Sequence, residues 1–241
     1  SSDRLAEMEP FFKARKVPAF LIDHHPARGS FTDYAIVDDR MGSTSELVFN
    51  IIRELGWLKF VSDSAATSLL AGIMTDTVGF RVSCSYPEIF ETVAELMRLG
   101  ADKDRIHDEV YNQFSAWRMK LLGFSLEQKM TVLSELKTAY IALTRAELKK
   151  YHHKKGDTEG FVNYPLSIAD IRFSVLFTEQ EDHIKLSLRS RGTFPANEFA
   201  ARYFKGGGHV NAAGGRYFGT MTEALAYFET VLESYREMLL K

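Results

Sequence analysis

The chain has 241 residues, of which 45% are hydrophobic and 26% charged, enough apolar material for one large core or two modest ones. A net charge of -2 argues against a partner as extended as long nucleic acid, which is gripped through many phosphates, but leaves room for a small anion held by a few local cations. No apolar run approaches the roughly 20 residues that cross a bilayer, and the lone Cys84 excludes an intrachain disulfide framework, so no membrane partner and a reducing, cytoplasmic location are expected.

Residues 17 to 23 read as a strand. Ser43-Thr44-Ser45-Glu46 reads as a capping box opening a helix with Leu47, Val48, Ile51, Ile52 and Leu55 on one face. The apolar segment from Ala65 to Met74 predicts a second helix that releases Asp76 at its far end. Ser85-Tyr86-Pro87-Glu88 suggests another capping box, leading a helix that bears Ile89, Phe90, Val93, Leu96 and Met97 and stops at Gly100. Strands alternating with helices imply a wound parallel sheet, whose ligands gather at the carboxyl ends of strands.

From Lys103 to Leu136 the pattern is helical throughout, with Ile106, Val110, Phe114, Leu121 and Leu122 as buried positions. Thr138 to Leu143 predicts a strand and Thr144-Arg145-Ala146-Glu147 a helix cap. Ile171 to Phe177 and Ile184 to Leu188 alternate as two β segments around a polar turn, Glu179 to Asp182. Thr220-Met221-Thr222-Glu223 then caps a closing helix with Leu225, Phe228, Leu232, Tyr235 and Leu239 inward.

Three constellations carry chemistry. The first strand ends abruptly in Asp23-His24-His25, and buried polar groups need partners, so this end either delivers ligands or is simply solvated. Asp76, in Gly72-Ile73-Met74-Thr75-Asp76-Thr77, is either a helix-end cap or a ligand. Gly206-Gly207-Gly208-His209 is either a plain turn or a backbone that aims N–H groups at an anion. Arg189 and Arg191 precede it, and an Arg can clamp a phosphate bidentately; a solvated charge is an equal reading for Arg191. Arg81 is a further candidate phosphate contact. His152-His153 reads as a solvated helix end, and His107 and His183 lack metal-ligand spacing.

Asp-His-His, then a lone Asp in Gly-x-x-Thr-Asp-Thr, then Gly-Gly-Gly-His with Ala212-Ala213-Gly214-Gly215 following, resembles the DHH phosphoesterase superfamily. Within it the chain is most similar to the bifunctional oligoribonuclease and 3'-phosphoadenosine 5'-phosphate (pAp) phosphatase group, a match strengthened by residues 158–164 and 187–192. The resemblance implies an α/β fold: a wound parallel-sheet DHH domain over 1–115, a connecting helix over 116–136, and a smaller α/β DHH-associated domain over 137–241 that binds substrate. It implies a hydrolase with two Mn²⁺ or Mg²⁺ ions in the complete protein. Oxygen-rich sites with a His or two suit manganese better than zinc, whose structural sites favour thiolates. His24 and Asp76 would ligate one ion, His25 would face the phosphate, and Asp23 would orient an imidazole. Arg81, Arg189, Arg191, Gly206, Gly207, Gly208 and His209 would bind substrate, expected to be short RNA oligonucleotides or pAp in a cleft between the domains, with a homodimer as a further expectation. Two family elements, His-x-x-x-Asp-x-Asp and a later strand-end Asp, do not precede Asp23; the expectation is an N-terminally truncated chain with part of its metal site. A cyclic or linear dinucleotide phosphodiesterase, and a nucleotide-binding module without catalysis, are the alternatives.

Overall fold

The computed structural model describes residues 5, 7–25 and 31–241, and the chain divides into two compact units, Ser1–Gln113 and Phe114–Lys241. The first holds α1 (Glu9–Lys13), β1 (Phe20–Asp23), β2 (Tyr34–Val37), α2 (Thr44–Glu54), α3 (Asp63–Asp76), α4 (Pro87–Arg98) and α5 (Lys103–Tyr111). β1 starts later than the sequence suggests, after Pro18, and pairs in parallel with β2, a strand the sequence reading missed. The expected wound parallel sheet is therefore only this two-stranded pair among the described residues.

Helix starts follow local chemistry. Ser43 Oγ accepts from Glu46 N at 3.0 Å, as a cap should. The Glu46 carboxylate does not close the box, however: it accepts from Gly42 N at 2.9 Å instead. Ser62 caps α3 by accepting from Ala65 N. The second expected box is absent, because Tyr86 is the N-cap and Pro87, with no N–H to satisfy, opens α4. Gly100 does end α4: it takes φ +94°, its N–H donates to Met97 O, and Ala101 N donates to Leu96 O, the paired bonds of a left-handed helix stop. The core here is Phe49, Leu70, Ile73, Ile89 and Leu96 with their neighbours. Leu55, Phe90 and Met97 face outward instead.

The second unit comprises α6 (Ala116–Gln128), β3 (Met130–Leu133), β4 (Thr138–Leu143), α7 (Arg145–Lys150), β5 (Phe173–Glu179), β6 (Ile184–Ser190), α8 (Ala196–Tyr203), β7 (Gly207–His209), β8 (Ala212–Tyr217), α9 (Met221–Glu233) and α10 (Arg236–Leu240). The helical reading of 103 to 136 fails at two places. Ser115 caps a fresh helix after a break, and Met130–Leu133 pairs antiparallel with β4; a short apolar run does not by itself distinguish strand from helix. Phe114 is exposed, while Leu121 and Leu122 of α6 pack on Ile141 and Leu143 of β4. The closing helix also breaks, so Tyr235 and Leu239 belong to the turn and helix after α9.

One mixed sheet, ordered β3-β4-β5-β6-β8-β7, organises this unit. Only β4 and β5 run parallel; the other neighbours are antiparallel. One face carries Phe173, Val175, Phe177, Leu186 and Leu188 against Phe199, Phe204 and Phe228, each full burial of such a side chain contributing about 1.5–3 kcal/mol. The opposite face is covered over β4 and β5 by Leu121, Phe161 and Val162. Beyond β5 its composition turns polar and small: Lys185, Ser187 and Arg189 on β6 stand opposite Arg216, Gly214 and Ala212 on β8. Among the described residues, no helix is long and apolar enough to cross a membrane.

Candidate active site

In the first unit, β1 ends on Asp23, and α3 ends on Asp76. The backbone N–H of His24 donates to Thr44 Oγ1 at 3.3 Å, at the start of α2. Its Nδ1 lies 3.3 Å from the Met41 carbonyl; a carbonyl only accepts, so Nδ1 carries a proton and Nε2 is the ring nitrogen left for other partners. That Nε2 lies 3.7 Å from Asp76 Oδ2. The structure thus brings His24 and Asp76 together, with Nδ1 engaged by the backbone and Nε2 turned toward the carboxylate, the orientation a metal-ligating imidazole takes.

Met41 is held from both sides. Its N–H donates to Asp38 O, and the Arg40 guanidinium and backbone hold the Asp38 carboxyl down at about 2. On its other side, Gly42 N donates to Glu46 Oε2 and to Tyr86 Oη at 2.7 Å, and Tyr86 Oη donates to the same Glu46 oxygen at 2.5 Å. Burial and then the Glu46 carboxylate push the Tyr86 phenol well above its usual range. A Cβ on Gly42 would meet Ser83 O at 2.6 Å, so only glycine fits there. Glu46 and Tyr86 were not legible as site supports: the first was assigned to a cap, the second to a helix start.

His25 makes a separate pair. Its Nδ1–H donates to Asp23 Oδ1 at 2.7 Å, and its backbone N–H to the same oxygen at 3.1 Å. Burial raises the Asp23 carboxyl, but the bonds from His25 and the charges of both histidines outweigh it and leave the group below its ordinary value. Asp23 therefore orients His25 and turns its Nε2 away.

After Asp76 the chain enters a left-handed turn, with Val78 at φ +52°, Gly79 at +64° and Phe80 at +65°. A β-branched residue rarely takes this conformation. The buried Thr77 holds it: Oγ1 donates to Ile73 O at 2.7 Å and accepts from Phe80 N at 3.1 Å. Arg81 stands exposed at the end of this turn, its N–H donating to Thr77 O. Cys84 is buried, which pushes its thiol up and away from nucleophilic use.

Asp76 and His24 are two donors, close enough to share an ion. They do not complete a shell: among the described residues, no group of three or more His, Cys, Asp or Glu converges on one point. The pair fits part of a site for a hard divalent cation, which takes about six ligands.

In the second unit, Arg189 and His209 both register with Ala212, from β6 and β7 on either side of β8. The register places the two positions on one face of the sheet, since residues directly opposite each other on neighbouring strands lie on the same side. Burial lowers the Arg189 guanidinium, partly opposed by the charge of Glu159. The neighbouring segment is fixed by Arg118, which lies 3.5 Å from the Phe114 ring centroid and 5.2 Å from that of Phe161, and donates to Glu159 O at 2.9 Å. Arg191 lies beyond the strand, exposed, with its N–H donating to Arg172 O.

The glycine run is not itself a turn. Gly207–His209 is an edge strand, and the turn falls at Val210 and Asn211. A Cβ on Gly206 would lie 2.0 Å from Gly214 O, and one on Gly208, at φ +147°, 2.4 Å from Ala212 O. At both, close approach of the neighbouring strand explains the glycine. Gly207 has nothing within 4 Å; there the missing side chain leaves open space over the Arg189 face, where a ligand can approach the backbone.

The DHHA1 domain family matches residues 138–234, the mixed-sheet part of the second unit. The bifunctional oligoribonuclease and PAP phosphatase NrnA of Thermus thermophilus is 30% identical over 220 residues, 90% of this chain and 64% of that protein. The probable bifunctional oligoribonuclease and PAP phosphatase NrnA of Streptococcus mutans is 30% identical across 90% of this chain and 67% of its own length. The crystal structure of an exopolyphosphatase-related protein from Bacteroides fragilis superposes with a TM-score of 0.96 at 41% identity, covering all of this chain and 71% of that one. The chain belongs to the DHH superfamily of phosphoesterases, among its NrnA-like members. It spans about two thirds of the length of these relatives.

Proposed function

We propose that this chain serves a metal-dependent phosphoesterase that hydrolyses short oligoribonucleotides and pAp in the cytoplasm. The observation that carries the reading is the 3.7 Å approach of His24 Nε2 to Asp76 Oδ2, with Nδ1 committed to the Met41 carbonyl. The names of the Thermus and Streptococcus relatives support the substrate class.

His24 and Asp76 would hold a Mn²⁺ or Mg²⁺ ion, which when bound supplies Lewis acidity and lowers the pKa of water. His25, its Nδ1–H fixed on Asp23, presents Nε2, which in the imidazolium form would donate a hydrogen bond to a phosphoryl oxygen or pass its proton to the leaving oxygen. Arg189 and His209 bind a phosphate in the second unit, and the open backbone at Gly207 lets it come close. Arg81 and Arg191, both exposed, are placed as weaker phosphate contacts.

The test is turnover of pAp and of a diribonucleotide by the full-length gene product with added Mn²⁺, beside its His24→Ala variant. Hydrolysis lost in the variant supports the reading. Strong preference for a cyclic dinucleotide would move the substrate class, and binding without turnover would make the protein a nucleotide-binding module.

A further inference from the structure

On the same face as Arg189, four residues along β6, stands Lys185, opposite Arg216 on β8. Together with Lys205, His183 and Gln180 they line a cleft of about 640 Å³ whose floor includes the backbone of Gly214 and Gly215. No carboxylate lies within ion-pair distance of Lys185, Lys205 or Arg216 among the described residues; Asp182 pairs with His183 at 2.7 Å and feels Arg216 only through its charge. Beside this cleft Phe218 is 55% exposed, with Lys205 Nζ 4.8 Å from its ring centroid and the His183 ring at 6.0 Å. Three cations not neutralised by carboxylates, around a floor without side chains and next to an exposed ring, suit a phosphate backbone with a base beside it.

The distance along the sheet decides what this cleft is for. Four residues of strand separate Lys185 from Arg189 by about 13 Å, too far for the two phosphates carried by one ribose. We propose that this cleft is an extension subsite for the third and later nucleotides of a single-stranded RNA substrate: Lys185, Lys205 and Arg216 take the phosphodiester backbone and Phe218 stacks a base. This inference rests on the proposed function, and assigns length discrimination to the Lys185 end of the face, leaving the Arg189 and His209 end to the terminal phosphate.

The experiment is direct binding with a chelator present, so that no turnover occurs, using a fluorescent pentaribonucleotide and, by competition, pAp. In the full-length protein, Lys185→Gln combined with Arg216→Gln should weaken pentaribonucleotide binding about tenfold and reduce the slope of log Kd against log salt by about 1.4. Lys205→Gln alone should act in the same direction, Phe218→Ala should weaken pentaribonucleotide binding with the salt slope unchanged, and pAp binding should hold within about twofold in all variants. All four positions are surface-facing or partly so, and circular dichroism with a thermal melt checks that the fold persists. Equal weakening on both ligands, or none on either, overturns the subsite while leaving the proposed function standing. A wild-type protein that fails to bind the pentaribonucleotide under these conditions overturns the subsite, and one that also hydrolyses neither ligand with Mn²⁺ added overturns the proposed function itself.

Discussion

Gly72 of α3 and Ser45 of α2 meet so closely that a Cβ on Gly72 would lie 2.0 Å from Ser45 Oγ and 2.8 Å from Ser45 Cβ. One turn beyond Gly72, α3 ends on Asp76; just before Ser45, Thr44 accepts from His24 N. This contact sets the spacing of the His24–Asp76 pair. Gly72→Ala should therefore lower Mn²⁺ affinity about tenfold, as loss of a supporting contact typically does. Calorimetric titration reads the change, and Ser45→Gly in the same chain should recover most of it.

His24→Ala and Asp76→Ala should each abolish hydrolysis while the protein stays folded. Asp76 has 47% of its side chain exposed, so its loss should move stability by no more than about 0.5 kcal/mol. His24 also loses its bond to Met41 O, which adds about 0.5–1.5 kcal/mol. Activity assays paired with urea melts decide; a variant that unfolds would give these residues a structural role.

Glu46 is only 1% exposed and serves Gly42 N and Tyr86 Oη at once. Glu46→Ala should cost about 1–3 kcal/mol by leaving those donors unmet, and Tyr86→Phe about 0.5–1.5 kcal/mol. Because the two residues share Gly42, their effects should not add, and a double-mutant cycle in urea should show coupling of at least about 0.5 kcal/mol.

Asp23 supplies a pH signature. Its carboxyl is lower in the folded protein than the ordinary value near 3.9, so its stabilisation is fully present above that value and is lost as pH falls through the folded one. The difference in melting temperature between wild type and Asp23→Asn should shrink as pH falls below about 4. A difference that grows on acidification would reverse the sign of the assignment.

The parts of this molecule with a local cause were legible in its sequence. Ser43, Thr144 and Thr220 each accept a backbone N–H where the cap pattern placed them, and Thr138–Leu143 is a strand with the bounds its apolar run suggested. His24 and Asp76, 52 positions apart in number, were linked only through a family resemblance, since no local rule brings a strand end to a helix end. What failed depended on partners distant in sequence. Met130–Leu133 became a strand because β4 pairs with it, Glu46 left its cap for Gly42 and Tyr86, and the glycines at 206 and 208 proved to be spaced by β8. The polar half of the second sheet face was equally hidden, because its register follows from pairings among three strands.

β4 and β5 are parallel neighbours, joined by residues 144 to 172, which include α7 and two short 3₁₀ turns. The consequence is kinetic. Such a pairing closes a long loop before its contacts repay the ordering, whereas β5–β6 and β7–β8 need only tight turns. Folding of the second unit should therefore wait on the β4–β5 seam, and mutations that shorten or stiffen the 144–172 connection should speed refolding more than they slow unfolding.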